Sequence, residues 1–309
     1  MIAEYSQAIK DIDELVEFLQ GLDIDPDYDA HLSNDYYNAT NYYENYKNGD
    51  HNKLDDIGRS AFIGLHELYK MIWTVKDCKE FKVIVPHLKM FSESAIRINS
   101  FTPMLNPVTG KQDDSTNKLI ETIVAMFCIF SCENVDLDDP VASSNGKNPD
   151  ILFDYDGSRM AIACKTLRSD KPESIFDNII SAANQIERSD CDYGFIAINL
   201  MNILPHFIIS DNVYDEFYTP LRLVTSDVLS IFTKIRNLNS ERINEIFLNS
   251  KVKPTLILFA HSNTRIKSEL GVVPVILKST FVENILSKND EEKDLLFINK
   301  LNDFIHNIK

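Results

Sequence analysis

Asp150 and Lys165 are the two side chains whose types and spacing invite chemistry. They lie near the two ends of Asn148-Pro149-Asp150-Ile151-Leu152-Phe153-Asp154-Tyr155-Asp156-Gly157-Ser158-Arg159-Met160-Ala161-Ile162-Ala163-Cys164-Lys165. Two apolar runs flank Asp156-Gly157-Ser158, and Asp-Gly is a strong hairpin signal because both central residues of such a turn take positive φ. With Asp156 and Gly157 central, paired residue numbers sum to 313 and Asp150 faces Ala163. With Gly157 and Ser158 central they sum to 315 and Asp150 faces Lys165. Both registers bring the carboxylate and the ammonium within one residue pair of each other. Such a pair can offer an oxygen ligand to a hard divalent ion and a positive charge to a developing anion. As a bare cross-strand ion pair it is worth only about 0.2–1 kcal/mol. Alternation puts Ala161, Ala163 and Lys165 on one face of the second strand, with Ile162 and Cys164 on the other.

Pro-Asp ahead of a hairpin, with a Lys at the end of its second strand, resembles the PD-(D/E)XK (restriction endonuclease-like) nuclease superfamily. Pro149, Asp150 and Lys165 match that motif, and the second acid falls at position 163, where this chain has Ala163. The resemblance implies a Mg²⁺-dependent (or Mn²⁺-dependent) DNA endonuclease of the restriction or anti-phage defence kind. It further implies a homodimer, since cutting both strands needs two sites. In it Asp150 and the Cys164 carbonyl hold the metal, and Lys165 orients or deprotonates the attacking water. Three explanations fit Ala163. The missing carboxylate has moved, to Glu121 on the preceding helix or, as weaker candidates, to Glu173 or Glu187. The position carries a Glu→Ala replacement. Or the chain is a natural relative that does not cleave, a catalytically silent module binding nucleic acid or a partner protein. Gln185 resembles the Gln found on the helix after the Lys in this superfamily, and with Arg168 and Lys171 it is a candidate substrate contact. The resemblance covers residues 114–200 well and 254–278 more loosely.

Other chemistries find less support in the sequence. Cys128 and Cys132 have no His or further Cys nearby, so a zinc site is not expected. The seven histidines show no paired spacing, and no glycine-rich phosphate loop is present among nine glycines. His261 ends an apolar run and, with Arg265, is a weaker candidate for lining a cleft. Five cysteines, mostly in apolar runs, fit reduced thiols in a cytoplasmic protein. The start of the chain carries Glu4 and no apolar stretch of the signal-peptide kind, and the longest apolar run, Ile123 to Phe130, is too short to span a bilayer. The net charge of −16 argues against a general nucleic-acid coat. That charge is uneven: residues 1–140 hold 12 Lys/Arg against 25 Asp/Glu, and residues 141–309 hold 19 against 22.

Around the hairpin, hydrophobic periodicity gives the positioning elements. Residues 4–20 and 55–76 read as helices, the second with Ile57, Phe62, Leu65, Leu68, Met71 and Ile72 inward. Between them lies a Tyr/Asn-rich segment read as a polar, partly helical surface. Val83-Ile84-Val85 is a short apolar run before a further helical pattern that reaches Phe101. Pro103, Pro107 and Gly110 mark a linker, which sets an acidic, mainly helical region at 1–108 apart from a nuclease-like domain at 109–309. The second region reads as a helix to about Ser131, a loop from Asn134 to Lys147, the hairpin, a helix over 172–188, a strand over 193–200, mainly helix over 213–249, strands at 254–260 and 272–277, and closing helices from 281. That order predicts an α/β fold with a mixed central sheet flanked by helices.

Overall fold

The computed structural model describes residues 2–24, 31–50, 53–90, 114–138, 148–205, 208–209, 212–269, 271–286 and 291–307. It divides into two compact units, Met1–Phe130 together with Ile308–Lys309, and Ser131–Asn307. The division falls one helix later than the Pro/Gly stretch near residue 108. That stretch, and the helical pattern expected over 91–101, lie outside the described residues.

The first unit is helical. α1 (Ile2–Gly21), α2 (His31–Lys47) and α3 (Asp56–Val75) pack together, followed by a 3₁₀ turn (Phe81–Val83), α4 (Val85–Met90) and α5 (Asp114–Ser131). Ile12, Leu15 and Leu19 recur at helical spacing and are fully buried or nearly so, which is the inward stripe of α1. Asp55 caps α3 by accepting from the Gly58 N–H at 2.6 Å. Gly58 lets α2 approach: a Cβ there would meet Tyr42 Cβ at 3.0 Å and the Asn38 carbonyl at 3.1 Å. Ile57, expected inward, is 56% exposed because it precedes the first full turn of the buried stripe. The tyrosines of α2 work inside this bundle. Tyr36 donates to Asp13 at 2.7 Å, Tyr42 is buried, and Tyr46 stacks on Tyr5 with ring centroids 4.4 Å apart. Burial, then the Asp13 hydrogen bond and charge, push the Tyr36 phenol up to about 12.

The second unit is built on a six-stranded mixed sheet. Its strands are β1 (Glu133–Leu137), β2 (Ile151–Tyr155), β3 (Ser158–Thr166), β4 (Tyr193–Asn199), β6 (Val252–Phe259) and β9 (Thr280–Asn284), side by side in that order. β3, β4 and β6 run parallel, and β1, β2 and β9 pair antiparallel. A second sheet joins β5 (Val213–Tyr214), β7 (Ser262–Ser268) and β8 (Gly271–Leu277). α6 (Pro172–Arg188) and α7 (Tyr218–Phe247) cover one face of the large sheet in one apolar cluster with Ala161, Ile196, Ile198, Leu256 and Leu258. α8 (Glu292–Asn307) covers the other, where Phe297 stacks on Phe153 and Phe195 with centroids 5.6 Å apart in each pair. Gly194 is required where β4 enters: a Cβ would meet the Ala161 carbonyl at 2.7 Å and Ile186 Cγ2 at 2.8 Å.

The architecture is α/β, with a mixed sheet between helices and a helical N-terminal unit, as the element order predicts. Three expectations need correction. Residues 133–137 form edge strand β1 instead of loop; Val135 alone of them is buried, so the apolar signal is thin. The rest of that expected loop, 139–147, lies outside the described residues. β7 and β9 were not legible, since neither is an apolar run. For the same reason residues 281–284 are strand and the closing helix begins only at Glu292.

Candidate active site at the open end of the β2–β3 hairpin

The hairpin takes the first of the two registers. Ile151 pairs with Ile162 and Tyr155 with Ser158, so paired numbers sum to 313. Asp156 (φ 50°) and Gly157 (φ 75°) are the two central residues, both left-handed, as a type I′ turn requires. Extending that register past Ile151 sets Asp150 opposite Ala163.

Asp150 is 8% exposed, and its Oδ2 accepts the Cys164 main-chain N–H at 2.6 Å. An ionised acceptor makes this a short, strong hydrogen bond that pins the carboxylate across the hairpin. Lys165 Nζ donates to Gln185 Oε1 at 2.5 Å, and Gln185 Nε2 donates to the Asn148 carbonyl at 2.8 Å. Ammonium can only donate and carbonyl can only accept, so the two partners fix which way the amide points. Gln185, on α6 and 3% exposed, thus ties the segment entering β2 to the end of β3. Two hydrogen-bond links, Asp150–Cys164 and Lys165–Gln185–Asn148, lie at the carboxyl end of parallel strand β3.

Ala163 is fully buried within the apolar cluster that includes Ala182, Ala183 and Ile186 of α6. The second-acid position is therefore closed over by a helix. Of the acids considered in its place, Glu173 is exposed in the first turn of α6, and Glu187 accepts the Lys251 N–H at 2.8 Å. Glu121 belongs to the first unit, where Oε1 is 2.9 Å from His87 Nε2 and Oε2 accepts from Lys118 at 2.6 Å. Burial alone would raise its carboxyl. The His87 hydrogen bond and the charges of Lys118 and His87 outweigh that, and hold it below the usual carboxylate range. The His87 partnership was not visible in the sequence, since the pair is 34 residues apart with no periodic relation.

Arg168 is half-buried and Lys171 exposed in the β3–α6 connection, just beyond Lys165. His261, expected as a possible cleft residue, is fully buried at the end of β6. Asp154 is taken up by Asn134 at 2.6 Å and Arg159 at 3.0 Å, which hold its carboxyl below the usual range. Cys164 contributes to the site through its main chain, and all five cysteines are free thiols. A cavity of about 900 Å³ opens at the turn end of the hairpin and is lined by Tyr155, Asp156, Arg159, Asp192 and Lys300 among others, away from Asp150, Lys165 and Gln185.

Among the described residues no three His, Cys, Asp or Glu side chains gather as a metal set. Mg²⁺ commonly needs less, because it keeps several waters and is held by one or two carboxylates together with substrate phosphates. Asp150 with neighbouring carbonyl oxygens fits that minimal set. No helix among the described residues is long and apolar enough to cross a membrane. Comparison with known proteins found no matching family model, no matching curated protein and no matching solved structure.

Proposed function

We propose that the chain is a PD-(D/E)XK-type, Mg²⁺- or Mn²⁺-dependent endonuclease that hydrolyses phosphodiester bonds in DNA, in restriction or anti-phage defence. The observation that carries this reading is the pair of links Asp150–Cys164 N–H and Lys165–Gln185–Asn148, which holds a carboxylate and an ammonium at one end of a hairpin inside a mixed sheet. A metal bound with the scissile phosphate would polarise it and supply an activated water. Asp150 with the Cys164 carbonyl would hold that metal. Lys165, steadied by Gln185, would orient the water and offset charge developing on phosphorus. Arg168 and Lys171 would meet flanking phosphates. The homodimer belongs to this proposal, because a double-strand cut needs two such edges, and cytoplasmic DNA is the substrate such a system meets.

A second reading has its own support. Ala163 is fully buried under α6, and both Glu121 oxygens are engaged by His87 and Lys118, which favours a non-cleaving nuclease-fold module that binds nucleic acid or a partner protein. A cleavage assay on plasmid and single-stranded DNA, with Mg²⁺ and with Mn²⁺, separates the two. Cleavage by the parent that vanishes in Asp150→Ala and Lys165→Ala supports the enzyme. No cleavage in the parent, nor in a folded Ala163→Glu variant, sinks it. If Glu121→Ala abolishes cleavage while the fold survives, a displaced carboxylate is supported.

A further inference from the structure

One surface near the same sheet edge is not used by the Asp150 and Lys165 links. Phe217 and Tyr218 are adjacent at the start of α7, 42% and 65% exposed, with rings edge to face at 6.3 Å. Val213 and Ile208 are also exposed, at 48% and 45%, and Tyr214 donates to the Ile208 carbonyl at 3.1 Å. Exposed apolar side chains gathered in one short stretch of chain mark an interaction site. Cations surround it. β5 pairs with β7 so that Val213 lies beside Arg265, and Lys267 is on the same face of β7 as Arg265. Arg222, exposed, lies one turn after Tyr218. Two acids oppose this set, Asp215 and Glu216; the Asp215–Lys267 contact, 3.5 Å between highly exposed groups, is of the weak solvent-screened kind.

The position fits a substrate track. β7 begins just past the carboxyl end of β6, and β6 and β4 carry that edge across to Lys165 through Leu258 and Ile198. Seven residues of chain from Leu258 to Arg265 span at most about 25 Å, two strand spacings from Leu258 to Lys165 add about 10 Å and one from Arg265 to Val213 about 5 Å, and four residues from Val213 to Phe217 add at most about 14 Å. A single strand of roughly sixteen base steps of 3.4 Å therefore spans the two surfaces.

We propose that this face binds an unpaired stretch of nucleic acid, with bases stacked on Phe217 and Tyr218 and phosphates set against Arg222 and Lys267. Aromatic faces interleaved with cations are the general solution for single strands, because every base has a π-face and every nucleotide a charge. This inference rests on the nuclease-type reading of the Asp150–Lys165 edge and names the form of substrate it takes.

The test uses the full chain, without divalent ions, and the fluorescence anisotropy of a labelled single strand of about 20 nucleotides beside its duplex. The parent should bind the single strand in preference to its duplex. Phe217→Ala/Tyr218→Ala should weaken it about tenfold or more, and Lys267→Glu/Arg222→Glu should also weaken it and flatten its salt dependence. Unchanged single-strand affinity in both double variants, each with parental circular dichroism, overturns the proposal. So does a parent that ignores the single strand but forms a dimer that Phe217→Ala/Tyr218→Ala dissolves, since the face would then be a subunit contact. Loss of binding in the double variants with no cleavage by the parent sinks the nuclease reading and leaves this one standing. Intact cleavage with unchanged affinity does the reverse.

Discussion

Gln185 is the side chain on which the candidate site most directly depends, and Gln185→Leu is the informative change. Leucine keeps the volume and helix preference of α6 while removing both polar ends. It leaves the Asn148 carbonyl without its side-chain donor and Lys165 without its Oε1 acceptor. A neutral hydrogen bond contributes about 0.5–1.5 kcal/mol net and one to a charged group about 1.5–3. Their sum is roughly 2–4 kcal/mol. Lys165 is half-buried, so water can take over part of its loss, which favours the lower half of that range. For a domain of this size 1 kcal/mol moves Tm by about 2–4 °C, so a fall of roughly 4–12 °C is expected in calorimetry. Gln185→Glu sharpens the case. It keeps an acceptor for Lys165 but cannot donate to Asn148, so it should retain part of the stability while leaving the β2 entry loose. A double-mutant cycle with Lys165→Met should return a coupling of about 1 kcal/mol or more. If Gln185→Leu shifts Tm by less than about 1 °C and leaves cleavage as in the parent, the network does not organise the edge and the reasoning given for the site fails.

The metal should bind weakly on its own and more tightly with DNA present, since one carboxylate needs the phosphate to complete the coordination; calorimetric titration of Mg²⁺ with and without a duplex reads this, and equally tight binding in both would contradict it. Gly194→Ala forces a methyl group to within 2.7 Å of the Ala161 main-chain carbonyl, which cannot swing away, and should destabilise the second unit by about 1–3 kcal/mol in urea unfolding. Acid should weaken the first unit in two windows. Burial, then Lys70, holds the His66 imidazole below its ordinary 6.5 despite its Asp11 contact, so the unfolded chain takes up the proton first and stability falls as pH drops below about 6.5. Glu121, held below its ordinary 4.5, contributes stability that is complete above that value and is lost as pH falls through the depressed one. Trp73, the one tryptophan of the chain, lies on α3 in the same unit and reports both; Glu121→Gln should flatten the lower window alone.

The parts of the fold that were legible in sequence share one property: a local signal that no distant partner could overrule. Asp156-Gly157 demanded a tight turn and left two registers open, of which the structure takes the one that sets Asp150 opposite Ala163. Ile175, Ile179, Ala183 and Ile186 recur at helical spacing and gave α6 its buried side, from which Gln185 reaches Lys165. What stayed hidden depended on partners far along the chain. β1 carries a single buried residue and is a strand because β2 pairs with it. β9 is a strand because the buried run of β6 offers it a ladder from Thr255 to Phe259. The tyrosines of α2 read as surface by composition, yet Tyr42 and Tyr46 are packed because α1 and α3 present Tyr5 and Phe62 to them.

Ala163 shows how the same limit bears on the site. The spacing of the motif marks position 163 as the place for an acid, but spacing along a strand says nothing of what lies above that face. α6 lies above it, and its alanines, Ala182 and Ala183, make the approach close. A glutamate at 163 would have to displace that contact or leave the layer toward Lys165, two residues further along the same face. Charge and packing then pull against each other. The ammonium would stabilise the carboxylate, while the apolar layer would penalise it. The stability of Ala163→Glu measures that balance directly. A loss of about 1 kcal/mol or less would mean that Lys165 receives the new carboxylate and that the edge still has room for a second acid. A loss of several kcal/mol would mean that α6 has settled onto the sheet in a way that suits alanine, and that any second carboxylate must come from elsewhere.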